Sequence, residues 1–277
     1  MTMQVDINSK LKLNNGIEIP RLGLGTYNIT RKKDVDRAIH SALEAGYRLI
    51  DTAAAYYNER EIGEAIKSST VTREEIFITT KLDNSDHGYK STFRAFEQSL
   101  SRLDTDYVDL YLIHWPISRR RNESWKAMEE LLEKGKCKAI GVSNYMINHL
   151  EDLKKNSSVL PAVNQIEFNP FVFEREVKEY CQNLGVAVEA YTPIARGRKF
   201  KHQDIKRLSD KYGKTEAQVM LRWGIQHNVI VIPKSSSPER IKENADIFNF
   251  NISDEDMGVM NSLDEDLRYS PDPHNYD

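Results

Sequence analysis

Eight short apolar runs, each followed by a stretch of helical periodicity, alternate along almost the whole chain. The runs lie at residues 21–27, 47–51, 76–81, 108–114, 137–144, 163–168, 186–191 and 229–233. Between them, sets such as Val35, Ile39, Ala42, Leu43 and Phe93, Phe96, Leu100, Leu103 recur at helical spacing. A helix between successive strands carries the chain back to the same edge, so the strands run parallel. Eight such units with no linker-like segment predict an α/β chain folded as a (β/α)8 barrel, the TIM-barrel architecture, as a single domain over residues 1–277. An open doubly wound sheet is the competing solution. It would want G-x-G-x-x-G after its first strand, and GLGTYN supplies only the first two glycines. Ahead of the first unit, LKLNNGIEIP alternates around Asn15-Gly16, which predicts an N-terminal β-hairpin closing the barrel bottom. A capped helix is expected from Ser253, with Asp256 three residues on, and coil for the final YSPDPHNYD.

Three of the apolar runs break their own pattern at the end. They finish at Asp51, Lys81 and His114, and Tyr56 stands five residues beyond the first of these. A buried strand gains nothing by ending in an ionisable group, whereas the C-terminal mouth of a barrel is where chemistry is done. Each residue alone has a plainer reading: a tyrosine after a strand is more often packing, and an Asp–Lys couple is more often a structural ion pair. Together, on neighbouring strand ends, they make an acid–base device. A phenol has a pKa of ~10, and a nearby ammonium favours its ionised form. Lys81 is expected to supply that charge and lower the Tyr56 pKa, Asp51 to hold Lys81, and His114 to orient a carbonyl. The implied reaction protonates an oxygen whose carbon receives a hydride.

Charge and composition exclude several other classes. Lys and Arg number 39 against 42 Asp and Glu, for a net charge of -3, so no positive field favours a nucleic acid. No apolar run approaches the ~20 residues of a membrane span, and the N-terminus lacks a signal-peptide layout. Cys137 and Cys181 form no disulfide framework, which fits a reducing, cytoplasmic setting. The histidines show no ligand-like clustering with cysteines or carboxylates, so no metal site is expected.

Longer motifs now resemble one family. GYRLIDTAAAYYNEREIG, CKAIGVSNY and VIPKSSSPERIKEN, in that order, are similar to the signatures of the aldo-keto reductases, and FITTKL and LYLIHWP also resemble family segments. The likeness covers nearly the whole chain and is closest to compact microbial-type members, such as the diketogluconate, glyoxal and prostaglandin F reductases. It implies a catalytic tetrad of Asp51, Tyr56, Lys81 and His114, with Tyr56 as general acid and NADPH as hydride source. It also implies that Ser143, Asn144 and Gln165 hold the nicotinamide carboxamide and that Tyr191 stacks on the ring. Lys234, Ser235 and Arg240 would clamp the 2′-phosphate, and Asn244 would meet the adenine. The hydroxyls and two cations at this helix start are an anion site in their own right, although a plain Ser-capped helix start is the simpler reading without the resemblance.

The chain departs from the family pattern at two places. Asp83 stands in TTKLDNSDHGY where tryptophan is common, and Tyr27 follows GLGT where tryptophan is also common. Both, with Trp115, are expected to border the substrate pocket and make its mouth more polar. Arg119, Arg120 and Arg121 would attract an acidic or phosphorylated substrate, but such a run is usually a solvated face. Arg196, Arg198 and Lys199 are candidates for the cofactor pyrophosphate. The resulting expectation is an NADPH-dependent carbonyl reductase, monomeric like other compact members, acting on a small-molecule carbonyl. Two readings compete: an NADPH-binding scaffold, which the intact tetrad disfavours, and a Schiff-base enzyme using Lys81, which the paired Asp51 disfavours by keeping the amine charged.

Overall fold

The computed structural model describes residues 5–117 and 120–276. A short antiparallel hairpin, β1 (Lys10–Lys12) and β2 (Glu18–Pro20), precedes the main sheet. Eight parallel strands follow: β3 (Leu24–Gly25), β4 (Leu49–Asp51), β5 (Phe77–Leu82), β6 (Val108–Ile113), β7 (Cys137–Ser143), β8 (Val163–Glu167), β9 (Ala187–Tyr191) and β10 (Ile230–Val231). They are ordered by sequence, and the seam between β3 and β10 closes through bridges from Leu22 to Val231 and from Gly25 to Lys234.

That seam explains the first strand. Only two residues of the expected 21–27 run pair as a regular strand, because the closing edge is made by single bridges. A Cβ at Gly25 would stand 2.8 Å from the Ile232 carbonyl oxygen. The glycines of GLGT therefore serve barrel closure, and the dinucleotide-turn alternative fails here on close packing.

Among the described residues, ten helices flank the sheet: α1 (Lys32–Glu44), α2 (Glu59–Lys67), α3 (Tyr89–Leu103), α4 (Arg121–Glu133), α5 (Ile147–Asn156), α6 (Arg175–Asn183), α7 (Gln203–Tyr212), α8 (Glu216–Gln226), α9 (Pro238–Ala245) and α10 (Asp254–Asn261). Their apolar stripes pack on the outer face of the strands. On α1 the buried set is Val35, Ala38, Ile39, Ala42 and Leu43, and the helix stops where Gly46 takes a φ of +92°. Trp223 and Met220 on α8 are wholly buried. The Ser253 hydroxyl accepts from the Asp256 N–H and caps α10.

Inside the barrel a second apolar cluster collects Leu49, Phe77, Leu110, Ala139, Val163 and Ile230, and Leu13 and Ile19 of the hairpin join it. The hairpin thus plugs the N-terminal end. Asn14 and Asn15 tie it down by donating to the carbonyls of Pro161 and Lys138. One expectation is overturned. The tail is not plain coil: residues Pro273–Asn275 form a 3-10 turn whose cap, Asp272, accepts from the His274 N–H at 3.0 Å. The reason lies further back, where the buried Glu167 carboxylate accepts from the Tyr269 and Ser270 N–H groups and holds the tail against the mouth.

Candidate active site

Side chains on a strand alternate faces, so a residue two or four places beyond an inward one also points inward. Leu49, Phe77 and Val163 lie in the interior cluster near the N-terminal ends of β4, β5 and β8. Asp51, Lys81 and Gln165 follow at the same parity, one or two pleats nearer the mouth. In register, Ser143 pairs with Gln165, Gln165 with Glu189, and Glu189 with Ile230. A polar layer therefore rests on the apolar one.

Lys81 is its centre. Its fully buried ammonium donates to both Asp51 oxygens at 2.7 and 2.8 Å and to the Thr52 carbonyl at 2.9 Å, and it lies 3.5 Å from the Tyr56 hydroxyl oxygen. Tyr56 ends a 3-10 turn, Ala54–Tyr56, just beyond β4. Since its oxygen faces the ammonium, its own proton is free for an acceptor on the mouth side. The His114 ring packs edge-on against the Tyr56 ring, with centroids 5.6 Å apart.

Ionisation follows from this burial. Burial alone would lower the Lys81 pKa, but Asp51 and Tyr56 hold it above the ordinary value. Burial pushes Tyr56 above the usual phenol range, and Lys81 offsets this only in part. Lys81 acts in the expected direction, but the expected net lowering of the phenol does not follow, because burial outweighs it. The Asp51 carboxylate beside it also opposes ionisation of the phenol. Burial, and then Lys81, drives His114 down to about 3, so the imidazole is neutral at physiological pH.

Next to this layer, Asn144 sits at φ +63°, a left-handed position that asparagine tolerates. Its amide donates to the His114 carbonyl at 2.9 Å, and its Oδ1 accepts from the Tyr191 hydroxyl at 2.7 Å. The Ser143 hydroxyl donates to the Gln165 carbonyl at 2.9 Å. These polar groups at the ends of β7, β8 and β9 form a continuous ledge suited to a planar amide. Farther round, Ser237 caps α9, and Ser235 is buried beside it with its Oγ accepting from the Ser237 N–H. Lys234 and Arg240 are exposed and form no ion pair among the described residues. Two uncommitted cations and a helix start fit a phosphate, so the donor set suits a phosphorylated dinucleotide. Asn244 shares the buried face of α9 with Ile241.

Around the opening, Tyr27 is 56% exposed and meets the Tyr56 ring edge-on at 5.1 Å. Trp115 packs on Tyr276 of the tail, with centroids 5.1 Å apart. Asp83 uses one oxygen as a cap, accepting from the Ser85 N–H at 2.8 Å and the Ser85 hydroxyl at 2.7 Å. Its contribution to mouth polarity is correspondingly less than its charge suggests. Arg119 lies outside the described residues. Arg120 pairs with Glu123 and Arg121 with Asp152. Arg196 and Arg198 lie over the Tyr269 ring, and Lys199 pairs with Glu265, so this second basic run braces the tail.

Residues 21–265 match the model of the aldo/keto reductase family. This chain belongs to that family. It is 45% identical to the glyoxal reductase of Bacillus subtilis (strain 168) over 98% of both chains. It is 43% identical to the methylglyoxal reductase of Escherichia coli (strain K12), over 96% of this chain and 97% of that one. A Bombyx mori aldo-keto reductase solved in complex with NADP superposes with a TM-score of 0.91 at 36% identity, covering 98% of each chain.

The reductase also holds groups that the sequence did not single out. Glu189, in the middle of VAVEAY, is fully buried under the site; its only signal was a charged residue inside an apolar strand. Asn58, also fully buried, bonds to Thr52, Thr26 and Ile29, fixing the turn that carries Tyr56. Tyr276 comes from the stretch read as coil.

Proposed function

We propose that this reductase converts aldehydes and ketones to alcohols with NADPH, and that Tyr56 is the general acid. The observation that carries this reading is the Tyr56–Lys81–Asp51 array, with its phenol proton uncommitted and a neutral imidazole beside it. NADPH, when bound, supplies a hydride to the carbonyl carbon. As that carbon is reduced, its oxygen becomes an alkoxide-like base, far stronger than a phenolate. A tyrosine that keeps its proton through the neutral range is ample for such a base. The O–H bond of Tyr56 breaks, the proton passes to the carbonyl oxygen, and the phenolate left behind is stabilised by Lys81. His114 donates an N–H that orients the carbonyl, and Tyr27 and Trp115 wall the opening.

Ser143, Asn144 and Gln165 would hold the carboxamide and Tyr191 the nicotinamide face; Lys234, Ser235 and Arg240 would take the 2′-phosphate, and Asn244 the adenine. The similarity to glyoxal and methylglyoxal reductases supports small dicarbonyls as substrates. The near-neutral charge and two buried, free cysteines support a cytoplasmic protein, and the compact chain supports a monomer, which light scattering tests.

NADPH absorbance followed across glyoxal, methylglyoxal and simple aldehydes tests the activity. Oxidation with the dicarbonyls is expected; tight NADPH binding without oxidation of any carbonyl would support a scaffold instead. For the phosphate clamp, Arg240→Ala is expected to raise the Michaelis constant for NADPH about 10-fold while sparing NADH. An unchanged ratio of the two constants contradicts the assignment.

A further inference from the structure

We propose that Glu189 is a positioning residue: with Asp51 it locks the Gln165 amide with its nitrogen turned into the barrel, so that Gln165 offers an acceptor and not a donor to the nicotinamide carboxamide. This rests on the proposed use of a nicotinamide cofactor. The Gln165 Nε2 donates to Asp51 Oδ2 at 2.8 Å and to Glu189 Oε2 at 2.8 Å, and the side chain is 2% exposed. Both N–H bonds of the amide are thereby committed to carboxylate oxygens. Planarity then turns Oε1 away from the carboxylates, and it accepts no side-chain hydrogen bond among the described residues.

Without Glu189 only one of the two N–H bonds is held, and the amide can rotate to present either end. The flip matters because a carboxamide offers both an N–H donor and a C=O acceptor, and a fixed Gln165 oxygen selects the donor edge. This sets which way round the ring lies and hence which face meets the carbonyl.

Among the described residues, Gln165 is the one hydrogen-bond partner of the Glu189 carboxyl. Glu189 is wholly buried, its Oε1 has no partner among the described residues, and the Lys81 hydrogens are directed at Asp51, Thr52 and Tyr56. A buried carboxyl with an orphaned oxygen is a cost that an apolar residue of similar size would avoid. The ionisable groups facing it are Asp51 and Lys81; its register neighbours, Gln165 and Ile230, carry no charge. Burial and then the Asp51 carboxylate raise its pKa to about 8, so it sits mostly neutral at pH 7 and accepts from Gln165 without adding a full buried charge.

The test is equilibrium NADPH binding to the full chain, read by quenching of tryptophan fluorescence. The probes are NADPH and its 3-acetylpyridine analogue, in which the carboxamide nitrogen is replaced by a methyl group. Loss of one oriented hydrogen bond predicts that Glu189→Leu weakens NADPH about fivefold but leaves the analogue unchanged. Glu189→Gln, which keeps an acceptor oxygen, is expected to bind both probes like the wild type. In a Gln165→Leu background the Glu189→Leu change should add nothing. Glu189→Met takes the place of the leucine variant if the latter does not fold, and the wild-type protein alone must favour NADPH over the analogue. The inference is overturned if the leucine or methionine variant binds NADPH as wild type does, if both probes lose affinity equally, or if the loss persists without Gln165. Absence of NADPH binding in the wild type would instead sink the cofactor reading itself.

Discussion

Asp109 and Glu189 are both buried acidic side chains on barrel strands, at opposite ends of the sheet, and they are treated in opposite ways. Asp109, at the start of β6, accepts from the Ile78 N–H at 2.9 Å, from Arg73 at 3.0 Å and from Lys138 at 2.9 Å. Two cations and a backbone donor leave it satisfied. Glu189, near the mouth, has a single amide donor and one orphaned oxygen. At Asp109 the closed end spends a carboxylate on stability and leaves neither oxygen unpartnered. The open end leaves donors and acceptors uncommitted, because a ligand is to complete them.

The largest effect that separates the two ends is expected from Lys81→Met. It removes the one cation of the polar layer and leaves Asp51 buried without its partner, a loss of ~3–5 kcal/mol for a broken buried pair. Urea unfolding measures it, and turnover should disappear as well. A stability loss below ~1 kcal/mol would mean that water already reaches this layer.

Next comes the pH dependence of Glu189. Its folded pKa, about 8, lies above the ordinary glutamate value of 4.5. Between those values the folded state holds a proton that the unfolded state has released, so stability declines as pH rises through the window. Glu189→Gln should flatten the profile between pH 5 and pH 8 relative to wild type; superimposable profiles would show that Glu189 does not titrate there. The smallest effect is at the closed end. Asp109→Asn should cost ~1–2 kcal/mol in unfolding experiments and leave kcat unchanged. A large change in kcat would erase the division of labour between the ends.

How much of this the sequence revealed differs residue by residue. Asp51, Lys81 and His114 were legible because each ends an apolar run at a place where only a mouth could use it. The helix that opens at Pro238 was legible from its serine cap and proline. Lys234, Arg240 and Asn244, by contrast, acquired roles only through resemblance to known reductases, since a solvated helix start looks the same. The sign of the Tyr56 shift was missed because it depends on how dry the pocket is and on how close the Asp51 carboxylate lies to the phenol. Both are properties of the assembled barrel. Glu189 was passed over because strand parity shows which residues share a face but not that this face is interior. Tyr276 was hidden because its partners, the His149 ring and Trp115, lie over a hundred residues away in the chain, and no local pattern reports such an anchor.

Single-turnover oxidation of NADPH by Tyr56→Phe, at saturating carbonyl, is the most direct test of the proton donor at the open end. The expected result is a rate lower by ~10²–10⁴-fold with NADPH affinity intact, since only the phenol proton is lost. A rate close to that of the wild type would contradict the assignment of Tyr56 as the acid.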